Sequence, residues 1–191
     1  MSISTEKEET ENDPNEELIA RIRDRAYNLY ETRQMLCTEA VLAAMNQGLN
    51  GGLTQAQAAA MAAPFCAALG ESGCLCGALS GAVMASGLLL GRAHVYRHRP
   101  QMRDSARRLH DAFKDANGAT CCRALTSAVR HDPKAHFEQC AGLTAQAAEM
   151  AARLVLEERP ELAILADNEF LAKRQSALAG AWRRLVNFFV L

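Results

Sequence analysis

Apolar positions recur along this chain at helical spacing almost without a break, and no segment longer than about five residues alternates as a strand would. Leu18, Ile22, Ala26 (or Tyr27) and Leu29 predict a first helix, and Ala40, Val41, Ala44 and Met45 a second, stopped at Gly48 and the loop Asn50-Gly51-Gly52. Thr54, three residues ahead of Gln57, predicts a capping box opening an Ala-rich helix that Pro64 must end or bend. A turn through Gly70 and Gly73 leads to a helix over residues 75–90, where Gly77, Gly81 and Ala85 recur every fourth position. Such a row of small side chains lets a neighbouring backbone approach closely. A basic helix follows Pro100 to residue 116, with Asn117-Gly118 as its stop. Thr120 is placed to cap the next helix, over 120–129, and Asp132-Pro133 to open a long one that Glu158 and Pro160 close. Residues 161–191 read as one or two further helices.

The two ends of the chain differ from this middle. Residues 1–15 are acidic and offer no apolar stripe, which predicts a disordered tail. Near the other end Leu171, Leu178, Trp182, Leu185 and Phe189 advance by 7, 4, 3 and 4 residues, so they share one helical face. Lys173, Arg174, Arg183, Arg184 and Asn187 fill much of the rest. That stripe is expected to dock on the chain's own bundle or on a second copy in a homodimer; the alternative is contact with an anionic membrane surface. The expected organisation is a disordered acidic tail over 1–15, a cysteine-bearing helical domain over 16–158 and a helical C-terminal extension over 159–191.

Composition sharpens the class. The 191 residues include 36 Ala and 23 Leu against 11 Val and Ile together, with 5% aromatic residues. Helix formers dominate and strand formers are scarce. The expected fold is all-α, a compact multi-helix bundle with an extra C-terminal amphipathic helix. A net charge of -1 argues against a dedicated nucleic-acid binder. The basic excess between residues 92 and 110, six Arg and three His with one Asp, is read as a solvated helical face, the pair His94 and His98 included. The chain starts without a basic, apolar leader, and its longest apolar stretch, over 78–90, has 13 residues against the roughly 20 needed to cross a bilayer. A cytoplasmic protein is expected, in which thiols stay reduced.

Chemistry enters with the cysteines, Cys37, Cys66, Cys74, Cys76, Cys121, Cys122 and Cys140. Cys37 is followed by Val41 and Ala44, Cys76 by Leu79 and Val83, Cys122 by Leu125 and Val129, and Cys140 by Leu143 and Ala147. Each of these four therefore lies on the apolar stripe of its helix and points inward. Four inward thiols on four helices can converge in a bundle and share a metal or exchange disulfides. Their gaps of 39, 46 and 18 residues match neither a zinc ribbon nor a ferredoxin, and the C-x-x-C redox motif is missing. Cys66 sits near a helix end, Cys74 and Cys121 are shifted off the best stripe, and all three are auxiliary thiols: extra metal ligands, resolving thiols or inert. Cys76 sits where a turn becomes a helix, between Gly73 and Gly77, and Cys37, Cys121 and Cys122 lie in or beside a first turn. Backbone N–H groups at a helix start stabilise thiolate, so Cys76 is expected to have a lowered pKa and to be the most sensitive thiol, with Gly73 and Gly77 leaving room for a cofactor or substrate.

Cys37-Thr-Glu-Ala-Val, then Gly73-x-x-Cys76-Gly77-Ala78-x-x-Gly81, then Cys122-Arg-x-Leu125, then Cys140 resembles the C_GCAxxG_C_C family of redox-active proteins over residues 20–155. The cysteine-bearing helical part of split-Soret cytochromes is also similar, although the haem-attachment motif is absent. The resemblance implies a small helical prokaryotic protein whose cysteines act in redox chemistry, with an iron–sulfur cluster or a dithiol/disulfide cycle and an electron-transfer partner. A non-catalytic module holding a soft metal or metalloid is the alternative. Phosphate-binding Gly-rich loops, His-Glu-x-x-His and a serine-hydrolase elbow around Ser80 are all missing. His131 and His136 flank Pro133 and are read as capping or surface residues.

Overall fold

The computed structural model describes residues 14–91, 97 and 99–176. Helix α1, Pro14–Glu31, opens with Pro in its first turn and with Glu16 and Glu17 where the helix dipole favours acids. Of the expected tail, Pro14 and Asn15 belong to α1 and the remainder lies outside the described residues. Helix α2, Cys37–Gly48, is held at its start by the Glu39 carboxylate, which accepts from the Leu36 N–H at 2.8 Å. Helix α3, Gln55–Ala62, carries the Thr54/Gln57 capping box, with Gln57 N–H donating to Thr54 Oγ1 at 3.2 Å and Thr54 N–H to Gln57 Oε1 at 3.0 Å. Pro64 then tightens the chain into a 3-10 turn, Ala63–Phe65.

The next segment, α4, Cys66–Glu71, is left-handed: Ala67, Ala68, Leu69, Gly70 and Glu71 all have φ between 51° and 70°. Helix α5, Gly77–Leu90, follows. Its small residues do bring backbones together, because a Cβ on Gly81 would stand 2.8 Å from the Thr38 carbonyl and 2.9 Å from Val41 Cβ. Helix α6, Arg99–Asn117, buries Ser105, Leu109 and Phe113 and leaves its basic face outward. His94 and His98 lie outside the described residues.

The helix expected over 120–129 is reduced to one turn, α7, Cys122–Leu125, with Cys121 rather than Thr120 at its cap position. The Thr126 and Ser127 hydroxyls donate to the carbonyls of Cys122 and Ala124, both at 2.9 Å. Side chains that bond locally compete with helix continuation. Helix α8, Pro133–Glu158, is capped by the Asp132 carboxylate, which accepts from the N–H groups of Lys134 and Ala135.

Helices α1, α2, α5 and α8 pack on one another around a core that includes Ile22, Met45, Leu79, Ala148 and Val155, and α6 lies on α5 and α8. Among the described residues there are no strands, so the fold is all-α. Beyond Pro160 the chain runs through a 3-10 stretch, Pro160–Leu165, and a short helix α9, Asn168–Ala172, rather than one long helix. This segment docks on α1 and α2. Asp167 N–H donates to Gly48 O at 3.0 Å, Arg25 and Asn28 donate to the carbonyls of Lys173 and Gln175, and Leu171 is fully buried. Of the predicted amphipathic stripe, Leu178, Trp182, Leu185 and Phe189 lie outside the described residues. No described helix is long and apolar enough to cross a membrane.

Candidate functional site

The site grows from Gly77, the first residue of α5. A Cβ at this position would stand 2.5 Å from Cys37 Sγ, 2.8 Å from Thr38 Oγ1 and 3.1 Å from the Phe65 carbonyl. Only hydrogen fits there. The start of α2 is pinned against it, because Thr38 Oγ1 donates to the Gly77 carbonyl at 2.9 Å. The Gly77 N–H meanwhile points to the sulfur of Cys122, the first residue of α7. One glycine thus separates Cys37 on one side from Cys122 on the other.

Each of these sulfurs has a thiol partner. Cys66, delivered by the left-handed segment and 5% exposed, pairs with Cys37, and its Sγ donates to the Ala62 carbonyl at 3.6 Å. Cys76, at the cap position of α5 and 3% exposed, donates to Cys122. The donor in each pair is held protonated and the acceptor is stabilised as thiolate. The hydrogen bond from Cys66 holds Cys37 below the usual thiol range against its burial, helped by the N–H groups of Ala67 and Thr38. Its bond to Cys37, burial and the Glu39 carboxylate push Cys66 far up. The hydrogen bond from Cys76, with the Gly77 N–H adding to it, lowers Cys122 to about 6 although burial opposes it. Its bond to Cys122 and burial push Cys76 far up, against the N–H groups of Leu79 and Ala78. The sequence expectation that Cys76 is the acidic thiol is therefore corrected. Both cysteines stand at helix starts, and the direction of the bond between them gives the negative charge to Cys122.

Cys140, in α8, faces the same cluster but pairs with a phenol. Burial and then the charge of Cys122 raise it, while a hydrogen bond from Tyr30 opposes them. Burial foremost, with Cys140 and Cys37 nearby, keeps Tyr30 protonated. Tyr30 stacks on Phe137 at 5.0 Å, and the Arg33 guanidinium covers the other ring at 4.5 Å. Tyr30, Arg33, Leu36 and Phe137 line part of a pocket of about 340 Å³ beside these thiols. A pocket of about 400 Å³ between α5 and α6, bordered by Val83, Ser86 and Met102, touches no cysteine.

The two remaining cysteines, Cys74 and Cys121, are joined in a disulfide with Cα atoms 4.4 Å apart. Two backbone hydrogen bonds align the segments that carry them: Cys76 N–H to Thr120 O at 2.8 Å and Arg123 N–H to Gly73 O at 3.1 Å. Gly73 takes φ +88°, and a Cβ there would face the Arg123 guanidinium at 3.0 Å. The positive φ of the turn is what favours glycine here, and Arg123 also donates to the Ser72 carbonyl at 2.8 Å. Neither glycine borders an open cofactor space: Gly73 abuts an arginine and Gly77 abuts sulfur.

The arrangement is one of pairs. Among the described residues no group of three or more His, Cys, Asp or Glu is disposed to hold a metal ion. What the arrangement supports chemically is thiol–disulfide exchange, with a thiolate, a neighbouring proton-bearing thiol and a disulfide close by. Tyr30 carries no signal in the sequence that would have marked it and is recruited by tertiary packing, whereas Glu39 sits inside the Cys37-Thr-Glu-Ala-Val stretch and is held locally by the Leu36 N–H. A protein-family model described as "Putative redox-active protein (C_GCAxxG_C_C)" matches residues 35–154. No curated protein and no solved structure matches the chain.

Proposed function

We propose a function from one premise: the chain belongs to the C_GCAxxG_C_C family of redox-active proteins, and the matched residues 35–154 contain all seven cysteines. The reading is a thiol–disulfide redox protein in which Cys122 is the nucleophile and Cys76 its resolving partner. The observation that carries it is the pairing of Cys76 with Cys122, with the Gly77 N–H pointing at the Cys122 sulfur, which favours the Cys122 thiolate down to about pH 6. At neutral pH the nucleophile is already ionised and its partner still holds a proton. Cys122 attacks one sulfur of a disulfide on a partner molecule; the Cys122–partner bond forms, and the partner's other sulfur leaves as thiolate and takes a proton. Cys76 then gives up its proton and attacks Cys122. The Cys76–Cys122 disulfide closes and the partner leaves as a dithiol. Two electrons pass to the partner, and an external dithiol reverses the sequence. Cys37 and Cys66 form a second dithiol of the same design.

The test is a titration of the full chain in glutathione buffers of stepped potential, with each cysteine's state read by differential alkylation and mass spectrometry. Cys76 and Cys122 should change together and reversibly as a two-electron couple. If both remain free thiols at every potential, the reading is wrong. Anaerobic purification with metal and sulfide analysis tests the same point from the other side. Stoichiometric iron and sulfide, with visible absorbance that bleaches on reduction, would replace the dithiol by a cluster, and stoichiometric zinc or copper by a binding module.

A further inference from the structure

The reading just given uses four thiols and leaves the Cys74–Cys121 disulfide unexplained. That disulfide and the Cys76/Cys122 dithiol occupy the same two short segments. Cys74 and Cys76 are separated by one residue, and Cys121 and Cys122 are adjacent. The bonds Cys76 N–H to Thr120 O and Arg123 N–H to Gly73 O hold these two segments side by side, with the Cys74 and Cys121 Cα atoms 4.4 Å apart. Adjacent Cα atoms lie about 3.8 Å apart, so Cys122 stands one residue spacing from the half-cystine already bonded to Cys74. Exposure is graded across the set: Cys74 is exposed, Cys121 and Cys122 are half-buried, and Cys76 is buried.

We infer that the Cys74–Cys121 disulfide is the internal exchange partner of the Cys76/Cys122 dithiol, forming a two-step relay between the surface and the buried pair. The inference rests on the dithiol reading above. In the first step the Cys122 thiolate attacks Cys74 Sγ: the Cys74–Cys122 bond forms, the Cys74–Cys121 bond breaks, and Cys121 leaves as thiolate and takes a proton. In the second step Cys76 loses its proton and attacks Cys122 Sγ. The Cys76–Cys122 bond forms, the Cys74–Cys122 bond breaks, and Cys74 leaves as thiolate and takes a proton. One disulfide and one dithiol exchange places, two electrons move outward, and no outside oxidant is consumed. The run in reverse carries two electrons inward.

The relay is tested with full-length protein held without added oxidant and quenched in acid. Free thiols are blocked with N-ethylmaleimide, and the bonded ones are then reduced and labelled with iodoacetamide. Fragment ions that split Cys121 from Cys122 tell which of the two had been free. In Cys76→Ser the second step is impossible, so the free-thiol label should move from Cys122 to Cys121 in part of the molecules. In the wild type, which needs no altered protein to fold, label should also divide between the Cys74–Cys121 and Cys76–Cys122 disulfides. If Cys74–Cys121 is the sole linkage in both proteins, while oxidised glutathione still closes Cys76–Cys122 in the wild type, the relay is overturned and the dithiol reading stands. If oxidised glutathione cannot close that pair either, both fall together.

Discussion

The pairs Cys37/Cys66 and Cys76/Cys122 stand on opposite sides of Gly77, and they are built alike up to a point. In each, one thiol donates to another that sits at a helix start, and the pair is left with one acidic and one resistant member. The difference lies in what surrounds the donor. Cys66 rides on a left-handed segment and faces the Glu39 carboxylate, whereas Cys76 is fixed at the cap of α5. The Cys122 side also adjoins a disulfide, and the Cys37 side adjoins Tyr30 and its pocket. The same chemical unit is therefore presented to two environments. On the reading proposed above, the side that exchanges near neutral pH is the one with a thiol lowered to about 6 and a neighbouring disulfide.

The strongest way to break this comparison is to fill the wall the pairs share. Gly77→Ala forces a methyl group into Cys37 Sγ and Thr38 Oγ1, and overpacking of this kind costs about 1–3 kcal/mol. Thermal unfolding should show Tm falling by roughly 2–4 °C for each kcal/mol. Gly87→Ala in the same helix meets nothing within 4 Å and should instead raise Tm, by about 0.5–1 kcal/mol of helix stability. Equal effects at the two glycines would show that Gly77 is not the tight wall described.

Next in size is the loss of the donor to Cys122. The rate of Cys122 alkylation by iodoacetamide should rise with pH through a midpoint of about 6. In Cys76→Ala that midpoint should move well up toward the ordinary thiol value of 9.0, and Cys37, which the Cys122 charge raises, should ionise slightly more easily. An unmoved Cys122 profile would mean that Gly77 N–H alone, and not the thiol, sets its acidity.

A smaller effect follows for stability, and its sign comes from counting protons. Between about pH 6 and the ordinary thiol value of 9.0, the unfolded chain keeps both protons of the Cys76/Cys122 pair and the folded chain keeps one. Stability from this pair therefore rises with pH across that window. Above it the unfolded chain loses both while folded Cys76 retains its own, so stability falls again. Urea unfolding midpoints of the reduced protein from pH 5 to 10 should trace a maximum near 9 that flattens in Cys122→Ser. The smallest change is expected from Glu39→Gln, which removes a negative charge facing Cys66 and should ease that thiol's ionisation without altering Cys122. A response at Cys122 as large as that at Cys66 would show that Glu39 does not act on Cys66 selectively.

How much of this was legible in the sequence follows the range of the interactions. Helix α8 begins at Pro133 and ends at Glu158, where Asp132-Pro133 and Pro160 put its limits, and α3 starts on the Thr54/Gln57 box, because caps and prolines act on their immediate neighbours. The close approach at Gly81 was readable from a four-residue repeat of small side chains. The pairing of Cys66 with Cys37 was not, since it depends on a left-handed run through Ala67, Ala68 and Leu69, residue types with no tendency toward positive φ. The acidity of Cys122 over Cys76 was equally hidden. Two helix starts look alike in sequence, and only the meeting of α5 with α7 decides which sulfur donates.

That left-handed run also bears on how the molecule stands with respect to its own best sequence. Four residues with a Cβ, Ala67, Ala68, Leu69 and Glu71, occupy a conformation that costs roughly 1–2 kcal/mol each for any residue but glycine. Glycine, which weakens ordinary helices, would here be the improving substitution, and a β-branched residue the most damaging one. The stretch that delivers Cys66 is thus a reserve of stability left undrawn, concentrated in a few positions beside the thiols rather than spread through the bundle.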